Sequence, residues 1–131
     1  MKISTNPFFL TIFQALRGFR ITGTIWVVLL LSRGFSLVDV GIAEGVFHVV
    51  SFLCEVPSGM LADLLGRKKT LLVSCLLASA SAFTMAFSTH LLGVCLSFAL
   101  EALSFNLASG TLEALLYDSL KALDRESEYD K

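Results

Sequence analysis

The chain is short of charge, of histidine and proline, and of the spacings that mark enzyme sites. Of 131 residues only 16% are Asp, Glu, Lys or Arg, against about 25% in an ordinary soluble domain. The formal net charge is −1, which gives no hint of a nucleic-acid partner. The two prolines are Pro7 and Pro57, and the two histidines are His48 and His90. The cysteines Cys54, Cys75 and Cys95 are odd in number, about 20 residues apart in apolar runs, and form no CxxC or Cys/His spacing. That excludes a disulfide framework or a zinc site and leaves small buried hydrophobes. No GxxxxGK[ST], GxSxG or HExxH run is present, so neither an ATP-driven pump nor a hydrolase or zinc protease is indicated. The sequence reads as a protein that is not an enzyme, with no cofactor and no metal site.

What remains is apolar. Hydrophobic residues make up 55% of the chain and the mean hydropathy is +0.77. A water-soluble protein of this composition would expose large sticky patches, and a lipid bilayer suits it better. The opening MKISTNPFFLTIF has one lysine and an apolar stretch but no small-residue cleavage site, so no cleavable signal peptide is expected.

A spanning helix needs about 20 mostly apolar residues. Four such segments can be drawn, over 13–32, 37–62, 70–87 and 91–116. The breaks between them carry turn residues: SRGFS at 32–36, DLLGRKK at 63–69 and STH at 88–90. A charged tail, 117–131, follows and is expected to form a short helix that frays. The expected fold is all-α, a polytopic membrane helix bundle, and four spans leave no room for a soluble second domain. Phe, with 11 residues, is spread along all four segments, as membrane composition requires and unlike a cofactor box.

Orientation follows from the bases. With the N-terminus inside, Lys2, Arg17 and Arg20 lie at or toward the cytoplasmic face. Arg67, Lys68 and Lys69 fall in the next inside loop, and Lys121, Arg125 and Lys131 in the inside tail. Arg33 alone is outside. Both termini are therefore expected in the cytoplasm, with the chain multi-pass in the plasma or inner membrane. Arg20 and Arg33 are only about 20 Å apart along a helix, so Arg20, and Arg17 on the same face, reach into membrane depth.

GMLADLLGRKKT, residues 59–70, interrupts this greasy chain with an acid, a glycine and three consecutive bases. Pro57 is expected to bend or end the last turns of helix two. Gly59 permits close backbone approach, Gly66 can turn the chain, and Arg67, Lys68 and Lys69 hold the loop inside. Topology gives no reason for Asp63. The spacing G-x-L-A-D-x-x-G-R-K, here Gly59, Leu61, Ala62, Asp63, Gly66, Arg67 and Lys68, resembles the signature loop of the major facilitator superfamily (MFS). In that family the loop joins helices two and three on the cytoplasmic side, where hydropathy and charge had put it here. Leu64 departs from the family, which often has a base directly after the aspartate. Residues 32–59 and 109–122 are also similar to the second helix and the end of the fourth helix in a bacterial branch of the superfamily.

The resemblance implies a secondary transporter that moves a small solute by alternating access. These residues would supply four helices of the N-terminal six-helix half of a twelve-helix fold. It implies a gating role for Gly59, Asp63, Gly66, Arg67 and Lys68. Asp63 would pack against a helix of the second half, and Arg67 would pair with an acid at the inner end of helix four, here Asp118. That second half is then a required partner, whether in the same chain or another, beside the lipid bilayer and an unidentified small solute.

Charged groups at membrane depth cost at least ~2.5–3.5 kcal/mol and by default face the bundle interior or water. Helix two carries Gly41, Glu44, His48, Ser51, Glu55 and Gly59 on one face. This is either a wall of a substrate path, with Glu44 and His48 sharing a proton, or a helix–helix seam, which Gly41 and Gly45 favour. Glu55 suits a structural contact near the inner surface. Helix four has two stripes: Ser97, Glu101, Ser104, Ala108 and Thr111; and Asn106, Gly110, Glu113 and Tyr117. Glu101 is the deepest acid and the first candidate for a coupling proton or substrate contact, with Arg17 or Arg20 as its counter-charge. An internal ion pair holding the bundle together is the alternative.

Two other functions fit parts of the pattern. One is a truncated, non-transporting membrane protein or a small helical module that binds a partner. The other is a four-helix multidrug transporter acting as a dimer. Such transporters usually depend on a glutamate in the first helix, and helix one here has no acid.

Overall fold

The computed structural model describes residues 22–121, together with Ile12 and Ala15. Four helices follow one another: α1 (Thr22–Ser32), α2 (Leu37–Leu65), α3 (Arg67–Phe87) and α4 (Leu91–Lys121). No strand occurs among the described residues. The all-α expectation is met, and α2, α3 and the Leu91–Leu112 part of α4 are long and apolar enough to cross a membrane. Of the expected first span, 13–32, the C-terminal 11 residues form α1, and most of 13–21 lies outside the described residues.

The turns follow from local chemistry. After α1, the Gly34 N–H bonds the Leu31 carbonyl and the Phe35 N–H bonds the Leu30 carbonyl, at 3.0 and 3.1 Å. This paired closure needs a residue at positive φ, which Gly34 supplies at 87°. Ser36 then caps α2: its hydroxyl accepts from the Asp39 N–H, and the Asp39 carboxylate accepts from the Ser36 N–H at 2.8 Å. Arg33 closes the same end of the bundle. Its guanidinium donates to the Met85 and Ala86 carbonyls at 2.7 and 3.2 Å, so a cation sits on the unpaired carbonyls that end α3.

Helix α4 is the centre of the bundle, packed against α3 on one side and α2 on the other. The α3–α4 seam is built of small residues. Thr70, Ser74 and Ser81 of α3 and Ser97 and Ser104 of α4 are all buried. Small side chains let two helices approach closely, and hydroxyls then reach backbone across the seam. The Ser104 hydroxyl donates to the Ser74 carbonyl and the Ser81 hydroxyl to the Ser97 carbonyl, both at 2.8 Å. At the end near Arg33, Leu30, Ala43 and Val94 form an apolar plug. Trp26 packs on it, edge-on to Phe98 at 4.9 Å, so this tryptophan is a core residue. Elsewhere large apolar side chains such as Phe52, Leu64 and Leu92 are exposed, as a bilayer solvent allows.

Two expectations are corrected. Pro57 does not end helix two: α2 runs unbroken through it to Leu65. Proline lacks the N–H that would bond the Leu53 carbonyl, and membrane helices tolerate that loss; the Ser58 hydroxyl donates separately to the Glu55 carbonyl at 2.8 Å. The expected loop at 63–69 shrinks to Gly66, and Arg67, Lys68 and Lys69 form the first turn of α3. The charged tail from Tyr117, expected as a short helix, is helical as far as Lys121 as the continuation of α4.

Candidate functional site

The turn between α2 and α3 is a single residue. Gly66 adopts φ 82°, ψ 140°, a conformation nearly confined to glycine. Its N–H bonds the Ala62 carbonyl at 3.1 Å, closing α2. Its carbonyl accepts from the Lys69 and Thr70 N–H groups and from the Thr70 hydroxyl, opening α3. One residue thus serves as the last cap of one helix and the first of the next. Asp63 is fixed on the final turn of α2 and Arg67 on the first turn of α3.

Three cations in the first turn of a helix oppose its dipole, whose N-terminal end is positive. Their placement must be favoured by something outside that helix. For Arg67 it is α4: the half-buried guanidinium crosses to the Ala114 carbonyl, with Nη1 donating at 2.6 Å. Ala114 is one helical turn before Asp118, the expected acid partner. The side chains of Asp118 and Glu113 lie outside the described residues, as do Arg17 and Arg20.

Beside this crossing lies a groove of about 560 Å³ between α2 and α4. Ser51, Glu55, Gly59 and Asp63 line it from α2 at steps of four, Arg67 closes one end, and Asn106, Gly110 and Thr111 line it from α4. The other end is tied by a reciprocal pair. The Ser51 hydroxyl donates to Asn106 Oδ1 at 2.8 Å, and the Asn106 amide donates to the Ser51 carbonyl at 2.6 Å. The Thr111 hydroxyl is buried, at 2% exposure, and has no partner among the described residues. A Cβ added at Gly59 would meet nothing within 4 Å, so the close approach expected there is not made by these helices.

The polar face of α2 therefore splits. Its Ser51–Gly59 half faces α4 and the groove. In its other half, Glu44 and His48 are exposed, 3.6 Å apart on successive turns, and Gly41 and Gly45 have nothing within 4 Å of an added Cβ. The described helices do not engage that GxxxG. Helix α4 splits as well. Asn106 and Gly110 belong to the groove, while Glu101 turns to the other side and lies 3.1 Å from the Ser81 hydroxyl of α3. The candidates thus occupy three places: the groove at the Gly66 turn, the outward face of α2, and the serine seam.

Ser81 escapes a search for chemistry-bearing residues. The signal available for Ser81 is spacing: Ser74 and Ser81 repeat at seven, as do Ser97 and Ser104, which marks two faces that pack together. Cys54, Cys75 and Cys95 are free thiols, half-buried on their helices. Among the described residues no three His, Cys, Asp or Glu side chains converge on a metal geometry.

Comparison with known proteins supplies the family. The chain is 33% identical over 106 residues to the uncharacterized MFS-type transporter YxaM of Bacillus subtilis (strain 168). The chain belongs to the major facilitator superfamily. The match covers 77% of this chain and 26% of that relative, so the chain spans about a quarter of the relative's length. No family model matches, and no solved structure matches. Membership joins the three membrane-length helices to a membrane transporter lineage.

Proposed function

We propose that these residues form helices one to four of the N-terminal half of a secondary transporter, which moves a small solute by alternating access. The observation that carries this is the Arg67 crossing. The signature turn is bonded to helix four through the Ala114 carbonyl, and Asp63 lies on the lip of the same polar groove. A rigid one-residue turn fixes both charges at the open end of the bundle. There a second half could engage or release Asp63 as the two halves rock. The turn lies on the cytoplasmic side of the plasma or inner membrane with both termini inside, an orientation supported by nine of the ten bases.

Proton coupling is assigned to Glu101. It is an acid at membrane depth, half-buried and in contact with a buried hydroxyl. Glu101 sits away from the groove, so gate and proton site are distinct places. Glu44 and His48, exposed on α2, are candidates for the path contributed by the missing half.

The test is solute-driven proton movement in inverted membrane vesicles carrying the complete protein, screened over sugars, peptides, organic ions and drugs. Asp63→Asn and Arg67→Ala should lower the rate by about tenfold or more, the scale of one lost charged hydrogen bond, while insertion is unchanged. Wild-type rates in both variants would overturn the gating role.

A further inference from the structure

Ser81 is 5% exposed and Ser97 1%, so their contact lies inside the α3–α4 seam. Ser81 Oγ has two acceptors within reach: the Ser97 carbonyl at 2.8 Å and Glu101 Oε2 at 3.1 Å. A hydroxyl carries one proton and can donate it fully to only one of them. A carbonyl has no proton to return. If both contacts are hydrogen bonds at once, the second donor must be a protonated Glu101.

Two arrangements follow. With Glu101 ionised, Ser81 donates to the carboxylate, a charge-assisted bond. The Ser97 carbonyl then keeps only its helical bond to the Glu101 N–H, four residues on. With Glu101 protonated, the acid O–H donates to Ser81 Oγ, and the Ser81 O–H turns onto the Ser97 carbonyl. We propose that Ser81 is the positioning residue for the proton of Glu101, and that its hydroxyl switches between the carboxylate and the Ser97 backbone as that proton comes and goes. The proposal rests on the reading of Glu101 as the proton-carrying residue. The proton enters from water, binds a carboxylate oxygen and leaves to water. Ser81 only rotates and exchanges no proton of its own.

The switch has a structural consequence. Ser81 is on α3, while Ser97 and Glu101 are on α4. In the protonated state the hydroxyl ties the α3 side chain to the α4 backbone. In the ionised state it holds a side chain that can move. Protonation thus moves the α3 hydroxyl from a side chain of α4 to its backbone.

On α3 the titratable group within the span is Cys75, and on α4 it is Cys95, each six residues from the pair. Helix α1 has none between Thr22 and Ser32. Ser51 pairs with Asn106, so Glu101 is level with Val46, near Glu44 and His48, but these two are exposed on α2. Arg17 and Arg20 lie outside the described residues and are treated in the test as possible counter-charges.

The experiment is infrared spectroscopy of the full chain in phospholipid vesicles, following the carboxylic-acid C=O stretch as pH is varied. Glu101→Gln identifies the band. In Ser81→Ala the band should change frequency. Its pH profile should move upward by about five- to tenfold in proton concentration, because a charge-assisted donor is lost against a neutral one. Ser81→Thr should restore both. Ser81→Cys, a weaker donor, carries the test if the alanine variant does not insert. The displacement should persist in an Arg17→Gln/Arg20→Gln background. A band that titrates and disappears in Glu101→Gln but is unmoved in Ser81→Ala would overturn the role of Ser81 and leave the proton reading standing. Loss of the Ser81 effect in the arginine-free background would overturn it equally. If no titrating band is lost in Glu101→Gln, the proton reading fails and the switch fails with it.

Discussion

Replacing Asn106 by Leu tests how α2 is held to α4. The side chain keeps its size and loses both partners, the Ser51 hydroxyl at 2.8 Å and the Ser51 carbonyl at 2.6 Å. Between membrane helices such bonds average ~0.6 kcal/mol and reach ~1.7, so two of them amount to about 1–3 kcal/mol. Ser51→Ala removes only the hydroxyl bond and should cost about half as much. Because one bond is shared by both substitutions, the double variant should lose less than the sum, by ~0.6–1.7 kcal/mol. The assay is unfolding by sodium dodecyl sulfate in mixed micelles, followed by far-ultraviolet circular dichroism. The single tryptophan, Trp26, packed on Phe98, reports the α1–α4 contact separately. Equal stability of Asn106→Leu and wild type, or strictly additive single losses, would refute the claim that this pair carries the α2–α4 contact.

Other perturbations probe the ends and the groove. Arg33→Gln should fray the last turn of α3, costing about 1–2 kcal/mol for two carbonyl bonds and a cation at a helix C-terminus, read by amide exchange at residues 83–87. Gly66→Ala should cost ~1–3 kcal/mol in the same micelle assay. That penalty is purely conformational, since an added Cβ meets nothing within 4 Å. Thr111→Val should leave the chain as stable as wild type or raise its stability by ~1–2 kcal/mol, because the hydroxyl it removes is buried with no partner among the described residues. A loss of more than ~1 kcal/mol there would mean that this hydroxyl does have a partner.

Much of the fold could be read from hydropathy, because a membrane helix must satisfy its backbone internally and so announces itself by length. The SRGFS and STH breaks came out as expected, and Gly34 and Gly66 have the positive φ that their turns require. Pro57 and the bases at 67–69 read as signs of a helix end and a loop, whereas α2 continues through Pro57 and the bases begin α3 directly after Gly66. The groove was half legible: steps of four on α2 put Ser51, Glu55 and Gly59 on one face, and Asn106 and Gly110 mark a stripe on α4. That the two faces meet depends on packing, which periodicity does not encode. Glu101 shows the limit most clearly. Its depth was visible, but its turn toward Ser81 and away from the groove is a matter of which neighbour α4 presents it to.

The proposal that these helices are the front of a two-half transporter is tested most directly by the intact mass of the polypeptide carrying them in native membranes. A twelve-helix fold of two six-helix halves requires about three times the 14.2 kDa of these 131 residues. That mass is expected, and it would supply Asp63 with the half it needs. A mass near 14.2 kDa would contradict alternating access by this chain.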